Sequence, residues 1–228
     1  MLADRAQAEE IMDDPALGTH VYAAVLADLA KVNTITMARR PTLDFIKRAV
    51  GTRTHFSLLD VGFGDGDMLR AIARWAGSRG KSARLVGIDL NPRSEGIAQA
   101  KTRTGEPIEY RTGDYAHLAG EGFDLVVSSL VAHHMTRAQL VAFLRFMENE
   151  ATAGWYINDL HRHGFAYLGY PILARLARWH PIVRQDGRLS IARSYRPREW
   201  TPILAEAGAN AATVERRFPF RLCVERLK

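Results

Sequence analysis

The stretch Leu58-Leu59-Asp60-Val61-Gly62-Phe63-Gly64-Asp65-Gly66-Asp67-Met68-Leu69 decides the fold. An apolar run of strand length ends at an acid, passes through three glycines at alternate positions, and resumes with helical spacing. Strand, glycine turn and helix in that order open a doubly wound α/β sheet. Glycine lets the backbone turn sharply and lets a ligand approach the main chain where a Cβ would collide. The spacing is GxGxG, not the GxGxxG of dinucleotide enzymes, which disfavours an NAD-dependent dehydrogenase. A purely structural turn would also account for the glycines taken alone.

Outward from this motif, short apolar runs alternate with amphipathic segments. The runs at 55–62, 84–90, 107–113, 123–130 and 154–160 read as strands, and 67–77, 93–103 and 136–149 read as helices. Such alternation predicts a parallel sheet with helices on both faces and ligands at the carboxyl ends of its strands. Upstream, Val21, Val25, Leu26 and Leu29, then Leu43, Ile46 and Val50, recur at helix spacing, with Pro41 suited to a first turn. Downstream, 161–195 breaks the alternation, its helical character interrupted by Gly169 and Pro171. A helix at about 197–208 should end at Gly208, followed by strands TVERRF and RLCVERL paired antiparallel.

The 228 residues suffice for a core without disulfides, and the single Cys223 reads as a small core residue of the final strand. One cysteine, no apolar run near ~20 residues and a charged start (MLADRAQAEE) fit a cytoplasmic protein without a signal peptide or membrane span. The net charge of +6 is uneven: residues 161–228 hold 13 Lys/Arg against 5 Asp/Glu, a local +8, leaving −2 elsewhere. Dispersed arginines suit a solvated face better than a nucleic-acid footprint.

Three strand-end loops carry candidate binding residues. Asp89 lies 23 positions beyond Gly66, where an ionised acceptor could take hydrogen bonds from both ribose hydroxyls. Asn91 is better placed than Asp89 to cap the helix beginning near Pro92. Leu90 would lie against an adenine. Asp114 could accept from the adenine amino group with Tyr115 beside the ring, although a lone acid there is more often a turn residue.

LLDVGFGDGDML, VGIDLNP, GDY and FDLVVSSLVAHHM, in that order, resemble the successive motifs of class I S-adenosylmethionine-dependent methyltransferases. The resemblance covers roughly 56–228 and implies a seven-stranded sheet with the last strand inserted antiparallel. It implies that Asp60, Gly62 and Gly64 line the methionine end of the cofactor, that Asp89, Leu90, Tyr115 and Asp114 hold the adenosine, and that Ser128 or Ser129 lies beneath the methionine amino end. Residues 1–50 look like the helical cap of small-molecule members, with Arg40 a partner for the methionine carboxylate. The expected organisation is one domain, 1–228: cap 1–50, cofactor-binding core 56–160, lid insertion 161–195, and final helix and hairpin 196–228.

The fourth strand leads into Ser128-Ser129-Leu130-Val131-Ala132-His133-His134 rather than the Asn/Asp-Pro-Pro-aromatic run of amino methylation, and Cys223 is remote from it. A nucleic-acid acceptor is therefore disfavoured. A loop histidine can take a proton from a phenol or enol as the methyl group arrives, and the tandem resembles the LHH-type segment of several small-molecule and quinone methyltransferases. Sequence does not choose between His133 and His134. Asp159, at the fifth strand end, either orients an imidazole or anchors the following segment. His161 and His163 lack a matching carboxylate, so no metal is expected. Phe165, Tyr167, Leu168, Tyr170, Ile172, Leu173 and Trp179 would suit a lid over an aromatic, lipophilic acceptor, or would simply pack the insertion. Relatives with this segment look like tailoring enzymes of secondary metabolism for phenolic polyketides or quinone-like compounds. The expected function is O- or C-methylation of a phenol, enol or quinol. The competing readings are an RNA or protein methyltransferase and a non-catalytic adenosine-nucleoside-binding subunit. A homodimer is compatible with the sequence.

Overall fold

The computed structural model of the chain describes residues 2–228. Two helices, α1 (Thr19–Ile35) and α2 (Arg39–Val50), precede the sheet. Then come β1 (His55–Val61), α3 (Asp67–Ser78), β2 (Ser82–Asp89), α4 (Pro92–Lys101), β3 (Ile108–Thr112), β4 (Phe123–Ser129), α5 (Arg137–Glu150) and β5 (Ala151–Leu160). The chain continues through α6 (Gly164–Leu176), α7 (Pro181–Arg193), α8 (Pro197–Ala207), β6 (Thr213–Arg217) and β7 (Arg221–Leu227). The strand order is β3-β2-β1-β4-β5-β7-β6, with β1 to β5 parallel and β7 antiparallel to both β5 and β6.

The pleat divides the core in two. Leu59, Val126, Trp155 and Ile157 pack on one face with α5 and α8, while their neighbours Leu58, Leu125, Val127 and Tyr156 pack on the other with α2 and α3. Each of these side chains is buried, so truncating one to Ala should cost about 2–5 kcal/mol. Local signals set the helix ends. Asn91 accepts from the Arg93 amide to cap α4, Thr136 and Gln139 form a reciprocal capping box on α5, and Gly208 closes α8 at φ 80°. Cys223 is buried in the core.

The insertion differs from its sequence reading. α6 runs unbroken through Gly169 and Pro171, and a second helix, α7, follows. Tertiary packing outweighs the breakers: the Tyr170 hydroxyl donates to the Val183 carbonyl at 2.7 Å, its ring rests against Gly187, and Ala174, Trp179 and Val183 bury against Val25 of α1. The outer stripe of α6 stays exposed, with Phe165 at 76% and Leu168 at 67%. Among the described residues no single helix is long and apolar enough to cross a membrane.

Candidate active site

A cavity of about 430 Å³ opens at the carboxyl ends of β1, β2 and β4, where a doubly wound sheet places its ligands. Its floor is the turn after β1. Gly62, Gly64 and Gly66 all have positive φ, at 79°, 57° and 76°. A Cβ on Gly62 would fall on the Val131 side chain, and one on Gly66 on the Tyr110 hydroxyl.

Asp89 is fixed by this turn. Its Oδ2 accepts from the Gly64 amide at 2.9 Å and its Oδ1 from the Asn91 amide at 2.8 Å. An ionised carboxylate has about four acceptor positions, so two remain for a ligand's hydroxyls. Burial raises the Asp89 pKa and these amide hydrogen bonds oppose it. Leu90 stands beside it 74% exposed, an apolar surface that a flat ligand would cover. Asp60, 2% exposed at the end of β1, is pushed up to about 8 by burial, with the charges of Asp67 and Asp89 adding to the effect.

Asp60, Gly62, Gly64, Asp89, Leu90, Tyr115, Ser129 and His134 all line the cavity. Arg40, Asp114, Ser128, His133 and Asp159 stand elsewhere. Arg40 is exposed with its guanidinium on the Met37 sulfur, whereas its neighbour Arg39 lines the wall, paired to Asp67 at 2.8 Å. Helical rotation puts successive residues about 100° apart, so the two cannot share a direction. Asp114 is exposed and caps the short 3-10 turn Tyr115–Leu118 through the Ala116 amide at 2.9 Å, the turn role it competes with in sequence. Ser128 is spent on the Val61 carbonyl at 2.8 Å. No residue of 161–195 borders the cavity; its cover comes from the N-terminal segment and α1, through Met12, Asp13, Tyr22, Leu26 and Leu29.

The histidines separate cleanly. Leu130, in a left-handed conformation at φ 63°, turns the chain after β4 into the 3-10 turn Ala132–His134. This turn buries His133 and leaves His134 at the cavity wall. Asp159 grips His133 twice, at its amide (2.8 Å) and at Nδ1 (2.7 Å), while Glu10 faces Nε2 at 3.5 Å. Burial works against the imidazolium here, but Asp159 and then Glu10 outweigh it and raise the His133 pKa to about 9. Asp159 therefore anchors the loop through His133 and does not touch His134. The partner of His134 Nδ1 is Asp13, at 3.0 Å, and Glu10 lies 3.8 Å from Nε2. Glu10, His133 and His134 bring ligand-type atoms within 4.8 Å of one another.

Glu10 and Asp13 escape sequence reading because their partners lie more than 100 positions away. The only local signal is a pair of acids on each side of Ile11-Met12, Glu9-Glu10 and Asp13-Asp14. This N-terminal segment is strapped down along its length. Arg5 donates to the Tyr195 hydroxyl (2.7 Å) and the His133 carbonyl (3.0 Å), the Ile11 and Met12 amides donate to Asp186, and Glu10 accepts from Ser190 (2.8 Å).

Residues 58–150 match the family model described as "Methyltransferase domain". No curated protein sequence matches the chain significantly. Among solved structures, the fold is similar to magnesium protoporphyrin IX methyltransferase of Synechocystis PCC 6803 with bound SAH, at TM-score 0.59 and 18% identity, covering 95% of this chain and 90% of that one. It is also similar to the plantazolicin methyltransferase BpumL in complex with a triazolic desmethylPZN analogue and SAH, at TM-score 0.65 and 14% identity, covering 89% of each chain. Human N-acetylserotonin methyltransferase in complex with SAM gives TM-score 0.64 and 13% identity, covering 92% of this chain but 56% of that one. A methyltransferase-domain match over the glycine-turn core and this sheet order around it give the chain the fold of the class I methyltransferases and support S-adenosylmethionine-dependent methyl transfer.

Proposed function

We propose that the chain methylates a small, apolar acceptor at a hydroxyl or enol carbon, with His134 as the base that takes the acceptor proton. The carrying observation is a single cavity holding two different chemistries. Its lining combines the glycine turn, Asp89 and Leu90 with His134, backed by Asp13, and the apolar Met12, Met135 and Leu26. S-adenosylmethionine supplies the methyl group when bound. The residues present fit it: Asp89 has acceptor positions for ribose hydroxyls, Leu90 and Tyr115 are available to the adenine, and the glycine turn leaves room for the methionine part. Asp60 would face the cationic portion of the cofactor.

Among the described residues His134 Nε2 makes no hydrogen bond, with the Glu10 carboxylate 3.8 Å away, so it can receive a proton, and the Asp13 carboxylate at Nδ1 would stabilise the imidazolium that forms. The methionines and leucines that line the cavity with His134 favour an aromatic or otherwise lipophilic ring. The test is a mass-spectrometric screen for methylated product and adenosylhomocysteine across phenols, quinols and enols, with tRNA and protein extracts as alternative acceptors. His134→Ala should lose most of its kcat and keep its cofactor Kd. Near wild-type kcat in that variant would remove the base role, and product on tRNA or protein alone would remove the small-molecule acceptor.

A further inference from the structure

Arg221 opens β7 and pairs in register with Leu160, so it sits beside the carboxyl end of β5. Its side chain borders the cavity next to Asn158 and Ala38, yet the residue is only 3% exposed. Its Nη2 reaches the Thr36 hydroxyl at 3.4 Å, whereas Nη1 has no hydrogen-bond partner. Among the described residues no carboxylate lies within salt-bridge distance of it; the acid that acts on it electrostatically, Asp159, is committed to His133 and the Leu160 amide. A guanidinium cannot shed its proton at physiological pH, so the fold holds a full positive charge out of water with one edge unmet. Such an arrangement is costly unless an anion completes it.

We propose that Arg221 is a subsite for an anionic oxygen, a carboxylate or an acidic enolate or phenolate, carried by the acceptor. The inference rests on the acceptor reading above and narrows it to acidic small molecules. Place in the sheet argues for the acceptor and against the cofactor's own carboxylate. From β1, which bears the glycine turn, the path to β7 crosses β4 and β5, three strand spacings or roughly 14 Å. His134 follows β4, between the two. Arg221 and His134 thus flank the acceptor end: one holds the existing negative charge, the other removes the proton.

The test replaces Arg221 by Met, which keeps much of the length and removes the charge, and by Lys, which restores the charge without the fork. Ligand-free Arg221→Met should fold with an unchanged or raised Tm, since an unpaired buried charge is gone. Calorimetry then uses benzoate, salicylate and octanoate against their neutral amides, each with adenosylhomocysteine-saturated protein. Wild type should prefer at least one acid over its amide by tenfold or more, Arg221→Met should lose that preference, and Arg221→Lys should recover part of it. Adenosylhomocysteine affinity should change less than twofold in Arg221→Met. No acid preference in wild type overturns the proposal. So does a tenfold loss of adenosylhomocysteine binding with 5′-methylthioadenosine binding unchanged, which would assign Arg221 to the cofactor carboxylate. These are binding readouts, so they separate from failure of the methyl-transfer screen.

Discussion

Asp60 should couple cofactor binding to proton release. Burial, with Asp67 and Asp89 nearby, holds its pKa at about 8, so at neutral pH the cofactor-free protein carries a carboxylic acid there. A sulfonium and an ammonium placed against it favour the carboxylate and should return it toward the ordinary value of ~3.9. Between those limits one proton leaves for each cofactor bound, and affinity changes by up to about tenfold per pH unit. Binding at pH 6 should thus be about 100-fold weaker than at pH 9, about 2.7 kcal/mol at 1.36 kcal/mol per unit. Titration calorimetry in buffers of differing ionisation enthalpy measures the proton directly. The cofactor's own amino group titrates near ~8, so the quantity to compare is wild type minus Asp60→Asn. Equal pH dependence and equal buffer dependence in the two proteins would refute the coupling. The sign for stability is opposite: the folded form binds the proton more tightly than the unfolded one, so stability is lost as pH rises from about 4 to 8. Asp60→Asn should raise the ligand-free Tm at pH 8 and change it little at pH 4.

Asp89→Ala removes a charge-assisted acceptor for two hydroxyls and should weaken adenosylhomocysteine binding by roughly 1.5–3 kcal/mol; unchanged calorimetric affinity in a folded variant would reject that role. Asp13→Asn should lower kcat, whereas Asp159→Ala, which strips a buried pair of one member, should cost about 3–5 kcal/mol in denaturant unfolding. His133, with its pKa raised to about 9, supports the fold fully below ~6.5, and this support fades as pH rises through 9. The protection of amides 2–14, measured against their intrinsic base-catalysed exchange rates, should therefore fall between pH 7 and 10, and protection independent of pH would count against the clamp. Leu168→Ala with Ile172→Ala should leave acceptor KM unchanged, because that stripe of α6 faces outward; a raised KM would restore the insertion as a lid.

What was legible in the sequence was local. A glycine turn, an acid at a strand end and a cap such as Asn91 are each set by a few consecutive residues, and the alternation of strand and helix implies a parallel sheet. Asp114 reads two ways because a turn cap and a ligand contact need the same residue type. Arg39 and Arg40 differ only in helical phase, and His133 and His134 only in which way a three-residue turn rolls. Neither choice exists until the Leu130 bend and the start of α2 are built. Glu10, Asp13 and Arg221 were out of reach for another reason: their significance comes from neighbours more than a hundred positions away, brought together by the sheet. Gly169 and Pro171 imply an interruption by local preference alone, and the packing of Tyr170 and Trp179 overrides it.

The strap of residues 2–14 imposes an order of assembly. The cofactor-binding loops after β1, β2 and β3 lie within 55 positions of one another, from Asp60 to Tyr115, and can close as soon as three strands meet. The acceptor end joins Arg5 to Arg193 and Tyr195, and Glu10 to Ser190, so during synthesis its first half waits for nearly the whole chain. By the same geometry it is the first part to come undone. Mild heat or limited proteolysis at the front of the chain should silence turnover while the remaining fold still captures adenosylhomocysteine, leaving a nucleoside receptor where there had been a catalyst.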